Sequence, residues 1–246
     1  MRNRNPRMPA TVPAEAGASG VGGGAAAAGK QYPTKASRGP GASGDSALRV
    51  QTVLFDGAEE QDFIGPYEVF SAVGYLREDA VRMTYAALGG PRTVTAAHGT
   101  RIVVDSGWSP ESTDILLVPG GGWNREGPGV TEEIKRGDLP RALASAVQTG
   151  LTIASVCTGA MLLSAAKLTQ GRSCTTHHLA QQELVKEGGI VKDARVVDDG
   201  DLVTSGGVTS GLDLALWLVQ REVGSDLAVE LEALLEYERR GTVWQS

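Results

Sequence analysis

The chain has 246 residues and a net charge of −6 at pH 7, long enough for one large domain or two small ones. That charge argues against nucleic acid as a partner, because phosphate binding needs clustered Lys and Arg, and no run approaches the ~18 apolar residues of a membrane span. Two cysteines, Cys157 and Cys174, with no paired framework fit a reducing compartment, so a cytoplasmic protein without nucleic-acid or membrane partners is expected.

Residues 1–48 are unlike the rest. "AGASGVGGGAAAAGK" and "ASRGPGASGDS" are dominated by Gly, Ala, Ser and Pro without apolar periodicity, and such a segment cannot bury enough surface to offset its ordering entropy. It carries +4, leaving −10 on the other 198 residues. "GGGAAAAG" is too short and too weakly apolar for the h-region of a secretory signal. The expected organisation is a disordered extension over 1–48 and a single α/β domain over 49–246.

Within that domain "RVQTVLF" (49–55) predicts a strand, and "EEQDFIGPYEVFSAVGYL" (59–76) a helix that Gly65-Pro66 interrupts, the helix proper starting near Pro66. "VRMTYAAL" (81–88) predicts a strand and "RTVTAAHGTRIVVD" (92–105) a hairpin about His98-Gly99. "DILLVP" (114–119) reads as a strand buried on both faces and ends in "GGG". "DLPRALASAVQTG" (138–150) predicts a helix with Asp138 as N-cap and Gly150 as its stop. "LTIASV" is a second apolar strand, leading through Cys157 into a helix over 158–167. "SCTTHH" predicts a short strand, "HLAQQELVKEGG" a helix, "ARVVDDGDLVTSGG" a hairpin turning at Asp199-Gly200, and the remainder two amphipathic helices. Strands alternating with helices imply a mostly parallel sheet covered on both faces, with sites beyond the carboxyl ends of the strands.

Two features fall at such ends. Cys157, in "SVCTGA", sits at a strand-to-helix joint where unpaired N–H groups favour a thiolate. A free cysteine is more often core filling, but this position resembles a nucleophile elbow, which the small residues Gly159 and Ala160 permit. Gly120, Gly121 and Gly122 read as a tight turn and, compatibly with it, as a set of free N–H donors for developing negative charge. Asp62 is either a helix cap or a carboxyl that shares a proton with the thiol, while Glu59 and Glu60 read as solvated. Phe63, Trp123 and His177 are candidate pocket residues, with Trp108, although the aromatics read equally as core or interface. Cys174 and His177 form a Cys-x-x-His pair with no second pair, which does not make a zinc site, and no Walker loop or zinc-protease motif occurs.

"VLFDGAEEQDFIGPYEVF", "LLVPGGG", "SVCTGAMLLSAAKL", "GRSCTTHH" and "DGDLVTSGGVTSGLDLALWLV" together resemble the ThiJ/PfpI superfamily, and within it the isonitrile hydratase branch, from about Val50 to Tyr237. The resemblance implies a flavodoxin-like (class I glutamine amidotransferase-like) three-layer α/β sandwich with a mostly parallel central sheet, commonly a homodimer. It places the family's nucleophile on Cys157, its carboxylate on Asp62, the threonine of this branch on Thr158, and the oxyanion-type turn on the glycines at 120–121. The histidine that follows the cysteine in protease-like members is replaced by Thr158, which removes their proton acceptor. The helix-turn-helix of the related regulators, and the helical tail of the hydratases, have no counterpart before Ser246.

The activity implied is hydration of a small-molecule isonitrile to an N-formamide. Cys157 attacks, Asp62 serves as general acid and base, Thr158 aligns substrate or water, and no metal or organic cofactor takes part. The alternatives are a redox or thiol sensor built on the same cysteine, and a ligand-sensing domain of the regulator type.

Overall fold

The computed structural model describes residues 47–246. The extension expected over 1–48 lies outside the described residues apart from its last two, and Leu48, buried, already belongs to the first strand. In chain order the elements are β1 (Leu48–Val53), α1 (Glu60–Leu76), β2 (Val81–Ala87), β3 (Arg92–Thr95), β4 (Arg101–Val104), β5 (Ser106–Gly107) and β6 (Ile115–Val118). There follow α2 (Val130–Arg136), α3 (Asp138–Ala146), β7 (Thr152–Ser155), α4 (Gly159–Ala165), β8 (Ser173–Cys174) and α5 (Gln181–Lys186). The chain closes with β9 (Ile190–Val191), β10 (Val196–Asp198), β11 (Leu202–Ser205), α6 (Ser210–Glu222), α7 (Ser225–Leu234) and β12 (Trp244–Gln245).

The main sheet runs β12-β10-β11-β7-β6-β1-β2-β5, parallel throughout except for the β10–β11 hairpin. The apolar runs of β6 and β7 are buried at every position, as strands covered on both faces must be. Alternation assigns their side chains to two cores. Leu116, Val118 and Ile153 pack with Val130, Leu139, Leu143, Leu162 and Leu184 of α2–α5. Ile115, Leu117 and Ala154 pack with Val69, Phe70, Val73, Leu214, Leu218 and Leu231 of α1, α6 and α7. This is the three-layer, flavodoxin-like α/β sandwich.

Register sets where the site forms. Val118 pairs with Ser155, and Ser155 with Thr204, so the exits of β6, β7 and β11 are flush. The parallel strands are ordered β2-β1-β6-β7-β11, and the direction of winding reverses between β1 and β6. A crevice opens at such a switch point, beyond the carboxyl ends. No described helix is long and apolar enough to cross a membrane.

Several elements depart from the sequence reading. Helix α1 is unbroken from Glu60 and carries Pro66 inside it. Gly65 lacks the Cβ that a following proline ring would strike, and Pro66 lies against Gly211 of α6, so packing holds the turn that propensity opposes. Asp138 is the first residue of α3 rather than its cap, with Gly137 before it at φ 76, and it pairs with Arg141 at 2.6 Å. The helix ends at Ala146, short of Gly150. The strand in "SCTTHH" is only Ser173–Cys174. Helix α2 and strand β12 are additions, too short to announce themselves by periodicity.

Candidate active site

The turn after β7 is built around Cys157, whose φ of 58 lies in the left-handed region. A side chain there costs free energy and persists only where its surroundings over-determine it. Here they do. The Cys157 N–H donates to Gly206 O at 2.8 Å, its carbonyl accepts from Thr176 Oγ1 at 2.8 Å, and Gly159 N–H donates back to Val156 O at 2.9 Å. Gly159 is required by space, since a Cβ would stand 2.2 Å from Val118 O. The α4 backbone therefore crosses directly over the exit of β6, and the thiol is held out of the sheet, 6 % exposed.

Asp62 reaches the same point from the first turn of α1 and is fully buried. It does not cap the helix. Its Oδ2 accepts the Gly120 N–H at 2.8 Å, while Oδ1 is buried with no partner in hydrogen-bond geometry. Thr158 completes the cluster, its Oγ1 accepting the Gly121 N–H at 3.0 Å. A Cβ on Gly120 would stand 2.6 Å from Thr158 N and Oγ1 and 2.9 Å from Asp62 Oδ2, so only glycine lets the three segments meet.

The two N–H groups expected to await an oxyanion are thus already donated to Asp62 and Thr158. Gly122 faces the turn at Pro128–Gly129, where a Cβ would lie 2.7 Å from Pro128 O. The groups that favour the thiolate come from elsewhere: the backbone N–H groups of Val208 and Thr158 and the Thr158 hydroxyl lie near the sulfur and hold its pKa down against burial. Val208 has φ 47, exceptional for a β-branched residue, and belongs to the loop between β11 and α6 that also receives the Cys157 N–H. Sequence reasoning missed Val208. Its one signal was the Gly206-Gly207 doublet beside it, read only as the end of a hairpin.

Burial dominates the electrostatics. It pushes the Asp62 carboxyl up to about 7, against the pull of the Gly120 N–H, and the Glu59 charge adds to the rise while the Cys157 thiol opposes it. Burial, then the neighbouring Asp62, pushes the thiol up to about 12, the N–H groups of Val208 and Thr158 holding it back. Between those values the pair carries one proton, and the two groups titrate as a unit.

The other expected residues divide. Phe63 is no pocket wall: it is fully buried in the core, edge-on to Tyr85 at 5.8 Å. Trp108 packs against the same core. Trp123 follows the glycine turn, half-buried, with its Nε1 lacking a partner. His177 lies over Gly207, where a Cβ would meet its Cδ2 at 2.3 Å, and its Nδ1 accepts from Leu179 N. Its ring is 4.3 Å from that of His178, and burial pushes its pKa down. Glu59 and Glu60 are not simply solvated. Glu59 pairs with His98 Nε2 at 3.3 Å, and Glu60 accepts the N–H groups of His98 and Thr100.

Residues 48–221 match the DJ-1/PfpI family. The chain belongs to that family. A Pseudomonas putida protein named isonitrile hydratase is 34% identical over 198 residues, which cover 78% of this chain and 79% of that one. Protein dj-1beta of Drosophila melanogaster is 28% identical over 182 residues, 73% of this chain and 91% of its own. A solved structure of a ThiJ/PfpI family protein from Pseudomonas syringae superposes with a TM-score of 0.69 at 24% identity, covering 80% of this chain and 77% of the other, and so speaks for the fold. DJ-1/PfpI membership accounts for the sandwich and leaves the reaction to be argued from the site.

Proposed function

We propose that this protein hydrates an isonitrile, R–N≡C, to the formamide R–NH–CHO. The observation that carries the reading is the Asp62–Cys157 pair followed by Thr158 rather than histidine, in a chain 34% identical to an isonitrile hydratase. Above about pH 7 the pair holds one proton, mostly on sulfur. As the thiol adds to the terminal carbon, its proton passes to Asp62 Oδ1 and from there to that carbon, giving the thioimidate R–N=CH–S–Cys157. Asp62, again a carboxylate, takes a proton from water as the oxygen adds to the same carbon and delivers it to nitrogen. As the C–S bond breaks and expels the thiolate, the hydroxyl proton passes to Asp62 and from there to the sulfur, which releases the formamide and restores the pair, so the balance is one isonitrile and one water. Thr158, held by Gly121, lies beside the reacting atoms and aligns the water. No step calls for a metal or a redox partner.

A second reading, oxidation of Cys157 as a sensor, draws on the similarity to dj-1beta and on the N–H donors near the sulfur, which suit a sulfinate. Redox sensors, however, expose a thiolate of lowered pKa, and this thiol is buried and pushed up to about 12. A thiol that becomes nucleophilic only by handing its proton to a poised acid fits the hydration better.

The test is turnover of a simple aliphatic isonitrile to its formamide by the wild type, Cys157→Ala and Asp62→Asn. Catalysis should vanish in the first variant and fall by about 10²–10⁴ in the second. Because the pair needs Asp62 ionised, the wild-type rate should rise with pH through about 7. No turnover across several isonitriles, with ready oxidation of Cys157, replaces this reading with the sensor.

A further inference from the structure

Glu59 and the hairpin that grips it lie just outside the reacting pair. Glu59 occupies the N-cap position of α1 without capping it, and its carbonyl accepts the Asp62 N–H at 3.1 Å. N-cap and third helical residues share one face of the first turn, so the two side chains are neighbours. The hairpin of β3 and β4 is bound to this turn along its length. Gly57 N–H donates to Thr95 O at 2.8 Å, Ala97 N–H to Ala58 O at 2.9 Å, and Asp56 holds Arg92 and the Thr95 N–H. At the tip, His98 Nε2 stands 3.3 Å from Glu59 Oε1, and the His98 and Thr100 N–H groups are taken by Glu60.

We infer that Glu59 is a positioning residue whose negative charge keeps the proton on Asp62, and that His98, by engaging Glu59, weakens that hold. Charged or titratable groups act on this point from each packed element: Cys157 from the α4 turn, Glu59 and Glu60 from α1, His98 from the hairpin tip, and the Asp56–Arg92 pair at the hairpin base. Glu60 is satisfied by backbone N–H groups and Asp56 by Arg92, which leaves Glu59 as the charge facing Asp62. Behind burial, which is the main cause, the negative charge of Glu59 also pushes the Asp62 carboxyl up, as this requires. The inference rests on Asp62 and Cys157 sharing a proton, and sharpens the proposed function by naming what sets the acid limb of its pH profile.

The experiment follows alkylation of Cys157 by iodoacetamide against pH, with no substrate present and with Cys174→Ala as background in every protein. Glu59→Gln should move the acid limb down by about one pH unit, a tenfold faster reaction at a pH on that limb. His98→Ala should move it up, and Glu59→Asp, which keeps the charge, should restore most of the wild-type position. The opposed directions matter: simple loosening of the hairpin would displace both variants the same way, and that outcome, or limbs that do not move, overturns the inference. Isonitrile turnover measured alongside separates the two readings. Limbs that shift as stated in a protein that hydrates no isonitrile would sink the function and leave the inference standing.

Discussion

The turn at 155–160 and the segment at 173–178 each present one cysteine, and burial does not tell the two apart. Cys157 is 6 % exposed and Cys174 not at all, and burial pushes one thiol up to about 12 and the other to about 11. What differs is backbone and company. Cys174 sits in a regular strand with its sulfur against α5 and Gly189, where a Cβ would come within 2.9 Å of it. Cys157 stands in a left-handed turn with a buried acid, poised about neutrality, beside it. A thiol with a raised pKa is inert unless something nearby can take its proton, and in the proposed mechanism Asp62 makes that difference.

Exchanging the two residues should break the comparison most sharply. Cys157→Ala is expected to lower isonitrile turnover by about 10³ or more, whereas Cys174→Ala should leave kcat within about twofold and cost only the stability of a small cavity. Equal losses in the two variants, with both folded by circular dichroism, would mean that the chemistry does not reside at the elbow. Gly120→Ala tests the acid rather than the sulfur. Its methyl would press on Thr158 and on Asp62 Oδ2, so kcat should fall by about 10² as the pair separates, a loss of the size expected when a reacting group is misplaced by an ångström.

The contrast also shows what the sequence could tell and what it could not. Strand-to-helix alternation and the apolar runs of β6 and β7 made the sheet legible, because period and composition are local. Cys157 was legible from its joint, and Asp62 only as one of two alternatives, since nothing within 59–76 says that the carboxyl turns inward instead of capping. The use of Gly120 and Gly121 was misread for a related reason. Glycine announces an N–H that can be approached closely, while the partner that occupies it lies 58 residues away for Gly120 and 37 for Gly121. Phe63 and Trp108 read equally as pocket walls or core because aromatics suit both settings, and three-dimensional packing alone chose the core. Val208 was invisible, since a strained φ at a valine is imposed by tertiary contacts against its own preference.

Thr158 gives the finest division between the two cysteine environments, because Cys174 is followed by a threonine as well. Thr175 uses its N–H on Thr204 Oγ1 and serves the junction of β8 with β11, while Thr158 uses its hydroxyl to accept from Gly121 beside the thiol. Thr158→Val keeps the shape and leaves the Gly121 N–H without its acceptor, so kcat should drop about tenfold, and Thr158→Ser should recover most of it. Thr175→Val keeps its backbone N–H and hence its bond to Thr204, and kcat should stay within about twofold. If the two valine variants lose activity alike, the hydroxyl at 158 supports the fold in the same way as its counterpart after Cys174, and the alignment of water falls to another group.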